Sequence, residues 1–130
     1  MISLDTNVLV RLLTRDDPAQ VRAAVRVIRG RRLWLAKTVV LETEWVLRYS
    51  YELSSEAIHR SFQRLLGLRN LEVEDRECVL IALGSYAGGM DLADALHLAS
   101  SRLAEAFVTF DARLAKVAAR LNPGPRVQAL

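Results

Sequence analysis

The chain has 130 residues, 52% of them apolar, with 18 Lys and Arg against 15 Asp and Glu, a formal net charge of +3 and one cysteine. That length predicts one domain, residues 1–130, able to bury a core without covalent staples. Cys78 alone excludes an internal disulfide and a Cys-rich zinc site, and no apolar run approaches the ~18 residues of a membrane span. The start, Met1-Ile2-Ser3-Leu4-Asp5, lacks the basic and apolar regions of an export signal, so a cytoplasmic, reducing setting is expected.

Ile2 to Asp5 reads as a short buried strand. Thr6 to Leu13 has apolar residues at helical spacing, Val8, Leu9, Leu12 and Leu13. Asp16-Asp17-Pro18 is a helix start, with an acidic cap and then proline, and predicts a helix to Gly30 with Val21, Ala24, Val25 and Ile28 on one face. Leu33 to Ala36 is a second strand. Thr38 is placed to cap a helix through about Tyr51, and Ser54 or Ser55 another that ends near Gly67. A brief strand, Leu71 to Val73, precedes a helix from Asp75 to Tyr86. Glycines 84, 88 and 89 break the chain there. Asp91 to Ala104 is helical, Ala106 to Phe110 a strand, Ala112 to Leu121 a helix, 122–125 a turn, and Arg126 to Ala129 a last edge strand. Strands alternating with helices predict an α/β/α domain with a central parallel sheet.

Charge is unevenly placed. Between Arg11 and Lys37 stand eight basic residues and only two acids, Asp16 and Asp17. A stretch of this kind attracts polyanions, nucleic acid first among them; a solvated helix face is the plainer reading. Arg22, Arg26, Arg29, Arg31 and Arg32 are its candidate RNA contacts.

Several acids stand out from an ordinary surface. Asp5 and Asp111 each end a predicted strand, and ligands in open α/β sheets bind beyond those ends. If the two strands are parallel neighbours, both carboxylates reach one rim. Glu42 has Thr38, Val39, Trp45 and Val46 as helical neighbours, surroundings in which a carboxylate is costly unless something compensates it. Glu44 has Arg48 four residues on and reads as the surface acid, which leaves Glu42 as the candidate ligand. Asp91 and Asp94 share one face at a helix start. Capping explains each aspartate singly, but not the whole set. Carboxylates gathered on one rim raise one another's pKa, and a hard divalent cation such as Mg²⁺ or Mn²⁺ relieves that conflict. An acidic, metal-holding pit in a basic surround suits phosphodiester cleavage.

Four segments carry a family resemblance. They are Asp5-Thr6-Asn7-Val8-Leu9, Val40-Leu41-Glu42, Gly89-Met90-Asp91-Leu92-Ala93-Asp94-Ala95-Leu96-His97-Leu98-Ala99 and Thr109-Phe110-Asp111. In this order and spacing the chain resembles a PIN domain, and more closely the VapC toxins of type II toxin–antitoxin pairs, including the FitB-like branch. The resemblance implies a Mg²⁺- or Mn²⁺-dependent endoribonuclease with Asp5, Glu42, Asp94 and Asp111 as its acidic quartet. It implies Asp91 as a further acid near the metal, and Thr6, Asn7 and Thr109 as supporting polar positions. It also implies an RNA substrate, inhibition by a VapB-like antitoxin lying along the helices from Thr38 to Tyr51 and Ser54 to Leu66, and a homodimer or higher oligomer.

Other residues are given plainer roles. His97 reads as a packing histidine before a proton shuttle, Trp34 and Trp45 as core or interface residues before base-stacking ones, and Cys78 as an inert core thiol. Gly88-Gly89 lacks the Lys and Ser/Thr of a phosphate loop. Two enzyme alternatives fit less well. A haloacid-dehalogenase-type phosphohydrolase wants a second Asp where Asn7 stands, and a response-regulator receiver wants a late lysine. A non-catalytic PIN module that binds RNA or protein is the alternative outside enzymes.

Overall fold

Alternation of short apolar strands with amphipathic helices is what the structure, a computed structural model, shows for residues 1–121 and 123–130. The described residues divide into two compact units, Met1–Asp75 and Arg76–Leu130. Asn122, in the expected turn, lies outside the described residues.

The first unit runs β1 (Ile2–Ser3), α1 (Thr6–Thr14), α2 (Pro18–Ile28), β2 (Leu33–Leu35), α3 (Lys37–Tyr49), α4 (Ser55–Leu66) and β3 (Leu71–Val73). Its three strands form a parallel sheet in the order β1-β2-β3, with Ile2 beside Leu33 and Leu33 beside Leu71. Each parallel step needs a crossover, and the helix pairs α1–α2 and α3–α4 supply them. α1 packs on α2 and α3. Leu9, Leu35, Val40, Leu47, Ile58 and Phe62 are fully withdrawn from water and form the core of this unit.

Most helix starts follow the expected chemistry. The N–H of Gln20 donates to Asp17 at 3.1 Å and that of Ala57 to Ser54 at 3.2 Å, and Pro18 opens α2. α3 departs from it. Thr38 does not cap; the helix begins after Ala36, and the Lys37 N–H donates instead to Glu74 Oε1 at 2.9 Å. A carboxylate just past β3 thus takes the donor that a local cap would have taken. On α2 only Val21 of the expected apolar face is buried, and Val25 is exposed.

The second unit runs α5 (Arg76–Ala87), α6 (Leu92–Ser100), β4 (Ala106–Thr109), α7 (Ala112–Leu121) and β5 (Arg126–Ala129). β4 and β5 pair in parallel across α7. α5 packs closely on α6, burying Cys78, Val79 and Ala82 together with Ala95, Leu98 and Ala99. α6 stops at Ser100, short of the expected Ala104. There the Ser101 N–H tightens onto the Leu98 carbonyl at 3.0 Å, and its hydroxyl donates to His97 O at 2.7 Å. Gly89, at φ +105°, turns the chain between α5 and α6 in a conformation that favours glycine.

One expectation is reversed. Glu44 is the buried acid, 1% exposed, ion-paired with Arg48 Nε at 2.9 Å, and Glu42 is the exposed one. The i,i+4 pairing with Arg48 was the right feature, but it lies against the core. Trp45 beside it is exposed, so it is not a core residue. Removing the cation leaves a carboxylate stranded in the core, so Arg48→Ala is expected to destabilise by about 3 kcal/mol. Glu42→Ala should stay within about 0.5 kcal/mol of wild type. Denaturant unfolding of both variants checks the assignment.

Candidate functional site

In the first unit, two of the expected acids sit at exposed positions on neighbouring helices. Asp5 precedes α1, and its side chain makes no capping bond, so helix capping does not account for it. Thr6, next to it, is buried, and Asn7 is exposed. Glu42 lies on α3, which packs against α1.

The second unit gathers three acids in one cleft. Asp91, Asp94 and Asp111 line a cavity of about 260 Å³ together with Gly89, Met90, Arg113, Leu114 and Val117. The chain builds this cleft from two caps. Asp91 precedes α6 and accepts the Asp94 N–H at 3.2 Å, while Asp111 precedes α7 and accepts the Leu114 N–H at 3.0 Å. Thr109 Oγ1 accepts the Asp111 N–H at 3.0 Å and so orients that turn from the end of β4. Capping is therefore part of the role of Asp91 and Asp111. Asp94 is held in the first turn of α6 with its charge facing theirs.

The electrostatics follow from that placement. Partial burial pushes the Asp94 carboxyl above the ordinary 3.8, the neighbouring charges of Asp91 and Asp111 raise it further, and His97 opposes them. His97 is exposed on α6, so the packing role expected for it is not the one it has. Three carboxylates lining one cleft are hard oxygen donors of the kind Mg²⁺ or Mn²⁺ takes. Among the described residues, no three His, Cys, Asp or Glu side chains are drawn close enough to form a finished metal cage.

The family model described as the PIN domain matches residues 2–120, nearly the whole chain. The chain belongs to the PIN-domain family. PIN domains are nuclease domains, generally dependent on divalent metal and acting on RNA or DNA. That membership replaces the phosphohydrolase and receiver alternatives. No curated protein and no solved structure matches the chain.

Of the basic residues, Arg22 and Arg26 line an open pocket of about 490 Å³ in the first unit with Val21, Val25 and Arg15. Arg29 and Arg31 are exposed, and Arg32 is paired with Glu72. Arg11 is committed elsewhere: it donates to Gln20 at 2.6 Å, to the Tyr51 hydroxyl at 2.6 Å and to Asp16 at 3.2 Å. Sequence reasoning passed over Arg15 and Arg113. Arg15 has a left-handed backbone that ends α1, which no periodicity signals. Arg113, two residues after Asp111, is a cation in the acidic cleft, and its proximity in sequence could have marked it.

The raised Asp94 pKa has a stability consequence. The folded protein favours the protonated carboxyl, so no penalty exists well below pH 3.8, and one develops as pH rises through the higher folded-state value. Without metal, Asp94→Asn is expected to melt above wild type at neutral pH, with the gain vanishing as pH falls below that of an ordinary carboxyl. A gain that persists unchanged at low pH would contradict the electrostatic cause.

Proposed function

We propose that this PIN domain is a Mg²⁺- or Mn²⁺-dependent endoribonuclease acting as a VapC-like toxin, restrained in the cytoplasm by a cognate VapB-like antitoxin and working as a homodimer or higher oligomer. The observation that carries the nuclease reading is the cleft in which Asp94 faces Asp91 and Asp111, set in a chain of this family. We take residues 1–130 as one functional nuclease domain.

Asp5, Glu42, Asp94 and Asp111 are proposed as the catalytic acids, with Asp5, Asp91, Asp94 and Asp111 as metal ligands. A divalent cation bound by such acids supplies charge neutralisation at the scissile phosphate and a water acidic enough to attack it. The protein's own groups do the rest. Asp94 and Glu42 are proposed to complete the acidic cage and orient the attacking water. Thr109 holds the turn that presents Asp111, and Thr6 and Asn7 support the segment beside Asp5. In-line attack leaves a 5′-phosphate and a 3′-hydroxyl. Arg22 and Arg26, with Arg15 beside them, together with Arg29, Arg31 and Arg32, are proposed to hold the RNA backbone.

The antitoxin surface expected on α3 and α4 is narrower than their sequence suggests, because Ile58, Phe62, Leu65 and Leu66 of α4 are already buried. The pairing of toxin and antitoxin rests on the resemblance of the four motifs.

Purified protein is expected to cut total cellular RNA with Mg²⁺ or Mn²⁺, to stop with EDTA, and to lose at least ~10²-fold in rate as Asp5→Asn or Asp94→Asn. Charge-removing changes at Arg22 and Arg26 should weaken RNA binding and flatten its salt dependence, by about one unit of slope for each phosphate no longer neutralised. Wild-type rates in both aspartate variants would overturn the site.

A further inference from the structure

The acidic cleft of the second unit holds a cation that the proposed chemistry leaves unused. Among the described residues that line it, Arg113 is the basic one, beside Asp91, Asp94 and Asp111. Helix stability does not explain its position. Arg113 is the second residue of α7, and the positive end of the backbone dipole at a helix start favours anions over cations. Nor is its charge spent locally. Arg113 is exposed and takes part in none of the ion pairs found among the described residues. The charges that bear on Asp94 are those of Asp91, His97 and Asp111. Two further cations of α7 are placed differently. Lys116 is exposed and does not line the cleft, and Arg120 donates from Nη2 to the Gly88 carbonyl at 2.9 Å, tying α7 to the turn after α5.

We propose that Arg113 grips the phosphodiester to be cut, its guanidinium donating to the non-bridging oxygens of the phosphate at the cleft that Asp91, Asp94 and Asp111 line. The inference rests on the nuclease reading above. Charge balance supports it. Three carboxylates repel a phosphodiester, and one divalent cation leaves the cleft with a net negative charge; Arg113 brings it to neutrality. Geometry supports it too. The guanidinium is a planar fork of donors that meets two phosphate oxygens at once. Those oxygens gain negative charge as the attacking oxygen bonds to phosphorus and the bond to the 3′ oxygen breaks, so a fixed cation there favours the transition state over the bound substrate. Arg113 stays charged throughout and forms or breaks no covalent bond.

The test uses full-length protein and a labelled transcript carrying a site that the wild type cuts in total cellular RNA. Rates at saturating Mn²⁺ are read beside Mn²⁺ affinity, measured separately by electron paramagnetic resonance. Arg113→Ala is expected to lower kcat about 10²- to 10³-fold, the range for losing one donor to a charged transition state. Its Mn²⁺ affinity should be unchanged or higher, because removing a cation from an acidic cleft does not weaken the pull on another. Free guanidinium, at concentrations that leave the fold intact, should restore part of the rate to Arg113→Ala and none to Asp94→Asn. Lys116→Ala should keep the wild-type kcat. A wild-type kcat in Arg113→Ala would overturn the phosphate contact and leave the nuclease reading intact. A loss that comes with weaker Mn²⁺ binding would also overturn it, making Arg113 a support of the metal site. So would a loss that free guanidinium does not restore in any part, or an equal loss in Lys116→Ala, which would assign the effect to the general basic field of α7. A wild type that cuts no RNA with Mg²⁺ or Mn²⁺ would overturn the nuclease reading and the contact together.

Discussion

Repulsion among carboxylates is the constraint around which the second unit is arranged. Asp91 and Asp111 are each fixed by the helix they precede, because each accepts a backbone N–H of that helix's first turn. Their positions are therefore set by secondary structure and cannot relax away from Asp94 without uncapping α6 or α7. Asp94 cannot withdraw either, since it sits in the first turn of α6, whose next residues, Ala95 and Leu96, are buried. Each acid contributes favourably to its own helix and unfavourably to its neighbours. The Asp94 carboxyl is raised first by its partial burial and then by that conflict. The mutual repulsion itself adds nothing to stability, and a divalent cation would relieve it.

The same economy recurs in the first unit with the opposite sign. Glu44 is taken into the core, and Arg48 neutralises it there. Because Arg48 is held by that pair, it is also in place to lie over Tyr49. One buried ion pair so orders a stretch of exposed helix surface that also carries Glu42 and Trp45. Asp5, at the start of α1, makes no capping bond with its side chain.

Much of this was legible in the sequence. The alternation of strands and helices, the proline-led start of α2, the Ser54 cap and the order of the four motifs all lie in local chemistry, which neighbouring residues determine. What was not legible depended on residues distant in the chain. Glu42 and Glu44 exchanged places because periodicity says that two residues lie on different faces but not which face meets the core. The Arg48 spacing that suggested a surface pair fits a buried one equally well. Thr38 was passed over as a cap because Glu74, 37 residues beyond Lys37, supplies the acceptor. His97 and Trp45 looked like packing residues because their neighbours are apolar, yet both side chains point to water. Family membership rests on the match across residues 2–120, and of the five acids expected on one rim, Asp91, Asp94 and Asp111 line the cleft of the second unit, while the strands that Asp5 and Asp111 follow lie in different sheets.

The central claim is that Asp91, Asp94 and Asp111 stand ready for a divalent cation. Its most direct test follows the Asp94 carboxyl carbon by NMR as pH is varied, without metal and with saturating Mg²⁺. A midpoint above that of an ordinary aspartate is predicted without metal, and one displaced well downward when Mg²⁺ is present. An ordinary midpoint that Mg²⁺ leaves unmoved would contradict the claim.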